Sequence, residues 1–392
     1  MRVACVGGGP AGLYFAILMK LWQPESAVTV FERNKEGVTH GWGVTMERSF
    51  LATLAELDAE SAAQIEDGSI RWQHQAVTFG GVRDVSADHG DAYGIGRQRF
   101  VDILAARATR LGVDIRYECE VRDAAELSDA DLIVAADGVN SQLRTGRREF
   151  GTMLHPGRNK YTWLGTSKVY HEFNFFFEPT EAGWIWAYAY RHEAAASTFV
   201  VECAPATWTA LGFDDRPASA ALDRLEDIFR AHLDGRPLTA QFPDGTEARW
   251  QSFKTVSNER WHDGRVVLVG DSAHTAHFSV GRGTTLALED VIALAGRLRA
   301  EGTGTGLAAA LESYQRQRQS QLSLHAIEAA RSAAWFENVP RYATLTPRDF
   351  AAVLHSRRAP LLPYLPPRLF CRLNRARERF GAVDALRNLV SR

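Results

Sequence analysis

Little in this sequence points to an oxidising compartment, a membrane or a polyanion. The four cysteines among 392 residues, Cys5, Cys119, Cys203 and Cys371, lie far apart, with no CxxC pair and no metal-ligand spacing. A disulfide framework is therefore excluded, no metal site is expected, and each thiol reads as a small hydrophobe in a reduced, cytoplasmic setting. No run approaches the roughly 18 continuous apolar residues of a membrane span. Charge of one sign is missing too: 45 basic against 47 acidic residues leave a net −2, so no long-range field draws nucleic acid or an anionic surface. The opening Met1-Arg2-Val3-Ala4-Cys5 runs straight into a strand pattern, without the features of a signal peptide. Internal repeats and low-complexity segments are absent. What remains is the composition of a soluble globular protein, 45% hydrophobic and 23% charged, large enough for one big or two fused domains and expected as a monomer or homodimer.

What is there begins with Val3 to Val6, a short apolar run ending in glycines, as a buried parallel strand reads. Ala11 to Leu21 follows as a helix and Ala27 to Glu32 as a second strand. The pattern predicts a helix over Met46 to Ile65, an extended stretch over Arg71 to Phe79, a helix over Arg97 to Leu111 with Phe100, Ile103, Leu104 and Leu111 near one face, and a buried strand over Asp131 to Ala136. The middle differs in character. Aromatic, β-rich segments at Tyr161 to Trp163, Phe173 to Phe177, Trp184 to Tyr190 and Ser197 to Cys203 predict an antiparallel sheet, with turn signals such as Glu181-Ala182-Gly183 between them. After a helix near Ala218 to Leu233, the strand Val266 to Val269 and the helix Gly283 to Leu298 restore the α/β pattern. A long helix over Leu307 to Phe336 and a Pro- and Arg-rich end, closing on a basic helix, complete the chain.

The first chemical motif is Gly7-Gly8-Gly9-Pro10-Ala11-Gly12. Gly7, Gly9 and Gly12 occupy the glycine positions of GxGxxG, which serve a tight turn, close backbone approach to a diphosphate, and close packing of helix on strand. The helix beginning at Pro10 and Ala11 points its N–H groups and positive end at that diphosphate. Glu32 closes the second strand, where a carboxylate holds both ribose hydroxyls and disfavours a 2′-phosphate. Strand, glycines, helix, strand and acid agree on a dinucleotide, but they do not choose between FAD and NAD.

Two later motifs do. Asp137-Gly138-Val139-Asn140-Ser141-Gln142-Leu143-Arg144 follows an apolar strand in the pattern DGxxSxxR. Val266 to Gly270-Asp271 is a strand ending in Gly-Asp, followed by Gly281-Arg282-Gly283-Thr284 and a helix. Over roughly residues 1 to 335 this triple pattern resembles the class A flavin-dependent aromatic monooxygenases. The resemblance implies that Asp271 holds the flavin ribityl chain and that Gly281, Gly283 and Thr284 face the flavin ring. A helix N-terminus at that place would stabilise the anion of reduced flavin. It also places Arg97, after Gly94-Ile95-Gly96, against the cofactor.

Many relatives carry a proline after Gly-Asp where this chain has His277-Phe278-Ser279. That segment resembles a narrower subgroup of salicylyl-CoA 5-hydroxylase, 2-aminobenzoyl-CoA monooxygenase and the violacein-pathway hydroxylase. So do Gly41-Trp42-Gly43-Val44, soon after Glu32-Arg33-Asn34, and Arg158-Asn159-Lys160-Tyr161-Thr162-Trp163-Leu164-Gly165-Thr166. The expected fold is α/β. A discontinuous Rossmann-like FAD-binding domain (1–70, 90–155 and 258–335) carries an inserted antiparallel β-sheet substrate domain (71–89 and 156–257), and a C-terminal helical segment (336–392) follows.

The resemblance implies bound FAD, transient NADH or NADPH, O2 as co-substrate, and oxygen transfer to an aromatic ring through a C4a-hydroperoxyflavin. With one dinucleotide fingerprint given to FAD, NAD(P)H must bind elsewhere, and Asp137-Gly138 is one candidate place. His277 is the candidate catalytic group beside the ring; a hydrogen-bonded structural histidine is the equal alternative, and His274 reads as structural. Trp163, Phe175, Phe177, Trp184, Trp186 and Tyr188 offer an aromatic wall, half of which belongs to the core. An aryl-CoA thioester would need cations for its phosphates, and Arg357, Arg358, Arg368, Arg372, Arg375, Arg377 and Arg379 either supply them or form a solvated face. Other readings stay open: an indole or other natural-product aromatic as substrate, a non-catalytic flavoprotein, and a plain NAD dehydrogenase. A halogenase is also conceivable, since Trp184-Ile185-Trp186 begins its WxWxIP signature, although Tyr188-Ala189 replaces the Ile-Pro.

Overall fold

The computed structural model describes residues 1–86, 91–240, 249–302 and 306–376. Apolar, β-branched runs at Arg2–Val6, Ala27–Phe31, Leu132–Ala135 and Val266–Leu268 stack in parallel, because both faces of their sheet are covered. Asp114–Arg116 lies on one edge and His262–Asp263, antiparallel, on the other, which makes six strands. Helix Pro10–Trp22 leaves the end of the first strand, buried from Pro10 to Met19, and packs against both Gly283–Glu301 and Arg97–Arg110. Two motifs some 260 residues apart thereby share the carboxyl-end side of one sheet, where ligands of open α/β sheets bind.

The aromatic segments form an eight-stranded sheet in which Met153–Thr166, Ala196–Cys203, Gly183–Glu193 and Phe173–Thr180 are neighbours, all antiparallel. Gln75–Phe79 then joins Phe173–Thr180 in parallel, and Val82–Ser86 closes that edge. The stretch expected to be extended over Arg71 to Phe79 is thus two strands in two sheets, since Ile70–Trp72 pairs with Ala92–Gly96 in a small sheet that also holds Gly43–Glu47.

The single helix expected over Met46 to Ile65 is a strand end followed by two helices, Arg48–Leu57 and Ala59–Asp67. Asp58 breaks it: its backbone is non-helical, and its carboxylate holds Ser61 Oγ (2.6 Å) and the Arg107 guanidinium (2.9 and 3.1 Å). The helix Leu307–Phe336 runs as expected, and its last turn, with Trp335 and Phe336, plugs the aromatic sheet. Beyond it, within the segment expected to be helical (336–392), lies the helix Pro347–His355, capped by Thr346 and laid on the strands of Gln75–Phe79 and Val82–Ser86. The backbone is helical again over 367–376, while Arg377 and Arg379 lie outside the described residues. No described helix is long and apolar enough to cross a membrane, and among the described residues no group of three acidic, His or Cys side chains gathers as metal ligands.

Candidate active site

One cavity of about 530 Å³ runs from the glycine turn of the first strand to the face of the aromatic sheet. Its near wall is mostly backbone. Gly7 has φ +112°, and a Cβ there would lie 2.3 Å from the Ala136 carbonyl oxygen; at Gly12 it would lie 2.0 Å from that of Gly7. These two glycines serve packing. Gly9 differs, because nothing lies within 4 Å of its would-be side chain and it lines the cavity together with Pro10 and Ala11 at the helix N-terminus. The Glu32 carboxylate sits against the turn, accepting from Gly8 N (2.7 Å) and from the backbone and side-chain nitrogens of Asn34 (2.8 and 2.7 Å). Arg33 is exposed and off the cavity wall.

Opposite stands the Gly270–Asp271 turn, braced from behind. Asp290, fully buried, accepts from Gly270 N (2.9 Å), bonds His274 Nε2 (2.8 Å) and pairs with Arg318 Nε (2.7 Å). Burial opposes its charge, but His274 and Arg318 outweigh burial and hold the carboxyl below the usual range. His274 is therefore a structural ligand of that acid. Arg144, the last residue of DGxxSxxR, donates to the carbonyls of Ser272 (3.1 Å) and Val139 (2.7 Å), tying the second motif to the third. Asp137 Oδ2 caps the turn from Gln142 N (2.9 Å), its Oδ1 is buried without a partner, and Gly138 lines the cavity. The Asp271 side chain is exposed only toward the cavity; the protein packed around it raises its carboxyl pKa, partly offset by His274 and Arg97. Arg97 is on the same wall, its guanidinium pKa lowered by burial and its Nε unpartnered. Helix Gly283–Glu301 opens onto the cavity at Gly283 and Thr284, with Gly281 in the left-handed turn before it and open space beside Gly283.

The subgroup motifs interlock. A Cβ on Gly41 would meet the Trp163 ring at 2.9 Å, and one on Gly165 would meet the Trp42 ring at 2.6 Å. Gly43 N donates to Thr198 Oγ1 (2.9 Å), the Tyr190 hydroxyl donates to the Gly43 carbonyl (2.7 Å), and Arg97 N donates to the Trp42 carbonyl (2.7 Å). Gly43 and Val44 reach the cavity, whereas Trp42 backs them.

The far wall consists of side chains. Of the six aromatics singled out, Trp163, Phe175 and Tyr188 line the cavity, joined by Tyr161, Tyr190, Phe253 and Phe278; Phe177, Trp184 and Trp186 are packed among Trp335, Phe336 and Phe350. Behind Tyr188 lies a carboxyl that sequence reading missed. Glu202, 1% exposed, accepts from Asn159 Nδ2 (2.7 Å), Trp186 Nε1 (3.1 Å) and the Tyr188 hydroxyl (2.5 Å). Burial among neutral donors raises it to about 7. Strand alternation places residues 200 and 202 on one face, and that was the signal available.

His277 is not on the cavity wall. Its Nδ1 bonds Ser279, its ring packs on Phe278 and Phe253, and burial with the nearby Arg357 charge lowers it to about 3, so it is neutral. Ser279 and Arg357 are the members of this group that reach the cavity. Arg357 therefore leaves the basic cluster: Arg368, Arg372 and Arg375 are exposed, Arg375 pairs with Asp349 and Arg358 lies near Glu328, but Arg357 is buried.

A flavin dinucleotide fits these residues. Two helix N-termini with open glycines face the cavity, an acid projects into it, and buried polar atoms of Arg97 and Asp137 lack partners. The sequence matches the FAD binding domain family over residues 1–325. It is 36% identical over 351 residues to salicyloyl-CoA 5-hydroxylase of a Streptomyces species, covering 87% of this chain and 66% of that protein. It is 31% identical over 373 residues to protodeoxyviolaceinate monooxygenase of Chromobacterium violaceum, covering 93% and 96%. The chain belongs to the FAD-dependent aromatic monooxygenases. Among solved structures of this fold, 2-methyl-3-hydroxypyridine-5-carboxylic acid oxygenase matches with a TM-score of 0.70 at 20% identity over 90% of this chain and 95% of that one. A flavin monooxygenase of this kind needs a cofactor wall and a ring wall around one volume, and the cavity has both.

Proposed function

We propose that this monooxygenase hydroxylates an aromatic ring carried as a CoA thioester, a salicylyl-like ring among the first candidates, with NADH or NADPH as electron donor and O2 as oxygen source. The observation that carries the reading is the continuity of one cavity from the two glycine-bearing helix N-termini to the aromatic face at Phe175 and Tyr188. The 36% identity to a salicyloyl-CoA hydroxylase supports the thioester. When bound, FAD supplies the redox and oxygen-activating chemistry; the chain's residues do the rest. Gly9, Pro10 and Ala11 receive the diphosphate on a turn that Gly7 and Gly12 let pack, Glu32 the ribose, and Asp271 with Arg97 the ribityl region. The helix N-terminus at Gly281, Gly283 and Thr284 meets the ring edge where negative charge develops. Gly43 and Val44, backed by Trp42, press the opposite side. Arg33, exposed, is left for solvent-side contacts, while Gly138 lines the cavity on the turn that Asp137 caps. Tyr161, Phe175 and Phe278 hold the substrate ring flat and exclude water.

A second reading, an indole-type or carrier-bound substrate, is favoured by the violacein-pathway relative, which matches over nearly the whole of both chains. One screen separates them: NAD(P)H consumption by the FAD-loaded protein with aromatic acids, their CoA thioesters and indoles, products weighed for one added oxygen atom. Stimulation by thioesters with oxygenated product is expected. Stimulation by indoles alone moves the assignment to the second reading, and no stimulated consumption with any ring overturns both.

A further inference from the structure

Arg357 is a buried cation that no carboxylate among the described residues pairs with. It follows helix Pro347–His355 and is 9% exposed on the cavity wall. Its Nε donates to Ser332 Oγ, its Nη1 to the Leu354 carbonyl and its Nη2 to the Ser279 carbonyl, each at 3.0 Å. Three of five N–H groups are engaged, all by neutral acceptors, and one on each terminal nitrogen remains. Among the described residues no carboxylate lies within ion-pair distance of it. The rings of Phe175 and Phe336 flank it at 5.7 and 6.0 Å. Burial, then the neighbouring Arg358, lowers its pKa to about 10, so it stays charged at neutral pH. The other titratable groups around it do not neutralise it: His277 is uncharged behind Ser279, and Tyr188 keeps its proton in the bond to Glu202.

A buried charge with no counter-charge is costly, and the usual remedy is a partner that arrives later. The other cavity cations are already provided for. Arg282 sits near Glu47 and Glu289, Lys254 is exposed and bonded to Asn140, and Arg97 faces Asp271. Arg357 alone of these stands in the aromatic half, among Phe175, Tyr188, Val200 and Phe278.

We propose that Arg357 receives an oxyanion borne directly on the substrate's aromatic ring, a phenolate or a ring carboxylate, and not a phosphate of a carrier. A phosphate would bring up to two charges and three oxygens into an apolar wall with, among the described residues, a single free cation. A ring oxyanion brings one charge, and its ring packs on Phe175, Tyr188 and Phe278 of the cavity wall. Because Arg357 also grips Ser279, two residues before Gly281, the same guanidinium fixes the ring relative to the N-terminus of helix Gly283–Glu301. This rests on the reading that the cavity takes an aromatic ring.

The test is calorimetric titration of the full-length, FAD-loaded protein with benzoate, 4-cyanophenol and neutral benzonitrile, in wild type, Arg357→Gln and Arg357→Lys. Arg357→Gln should weaken at least one anion by about 100-fold and benzonitrile less than about threefold, with Arg357→Lys in between and the flavin spectrum retained. Benzoate affinity constant with pH would assign a carboxylate; 4-cyanophenol affinity climbing to the ligand's own ionisation would assign a phenolate. Equal loss for all three ligands, or no loss for either anion while benzonitrile still binds, would overturn the proposal and leave the aromatic-site reading standing. If none of the three binds wild type, that reading falls as well.

Discussion

The two walls of the cavity are made of different material. On the side of the glycine turns the groups that line it are mostly backbone: helix N-termini at Pro10 and Gly283, open glycines, and a Gly270–Asp271 turn held from behind by Asp290. On the ring side they are side chains presented by alternate positions of a sheet and closed off by the ends of two helices. The same contrast appears in their buried acids. Asp290 is surrounded by His274 and Arg318 and stays charged, whereas Glu202 meets only Tyr188, Trp186 and Asn159 and is raised to about 7. A backbone wall serves one unchanging ligand, while a side-chain wall changes with each substitution. Relatives named for different ring substrates can therefore share the flavin motifs.

The contrast breaks most visibly at Asp290. Asp290→Ala leaves Arg318, only 4% exposed, with Glu289 in place of its closer partner, and should cost about 3 kcal/mol. Denaturant unfolding and flavin retention would both register it; a loss below about 1 kcal/mol would show that the brace is dispensable. Glycines sharpen the comparison next. Gly12→Ala, with its Cβ 2.0 Å from a carbonyl oxygen, should cost about 3 kcal/mol of apoprotein stability. Gly9→Ala should leave the apoprotein melting temperature unchanged and weaken FAD about tenfold, or about 1.4 kcal/mol. Equal behaviour of the two variants would erase the division between packing and binding glycines.

On the ring side, Glu202 carries a raised pKa, so its contribution is present in full below about 4.5 and is lost as pH rises toward about 7. The loss is at most about 3 kcal/mol. Glu202→Gln, with the Asn159 amide turned to accept, should abolish it. Wild type should thus lose stability relative to the variant between pH 5 and 8 in chemical denaturation; parallel curves would place the Glu202 ionisation elsewhere. The smallest effect belongs to His277. It is neutral down to about pH 3 and off the cavity wall, so His277→Gln should shift no apparent pKa of turnover between pH 6 and 9 and should change kcat less than about tenfold, below the roughly 100-fold low end of general-base effects. A vanished acidic limb in the pH–rate profile would restore it as a base.

Much of the cofactor side was readable. Gly7, Gly9 and Gly12, Glu32, Asp271 and the Gly281 to Thr284 turn stand in fixed spacing because a phosphate chain and a helix N-terminus tolerate few backbone geometries. The ring side was readable only as composition. Phe175 and Phe177 alternate identically on one strand, yet the first faces the cavity and the second the core, since depth along the sheet is set by where Phe336 and Phe350 come to rest. The Asp58 break and the Glu202 cluster were missed for the same reason: each depends on a partner distant in the chain.

By itself, then, the sequence determined the α/β class and the turn geometry of the glycine wall, consequences of local backbone geometry and short-range periodicity, while the family followed from the resemblance of its three motifs. Only the tertiary structure decided that Trp42 locks onto Gly165, that Arg357 leaves the basic tail for the cavity, and that His277 turns away from it. Burial and electrostatic environment are properties of the packed neighbourhood, and no spacing along the chain encodes them.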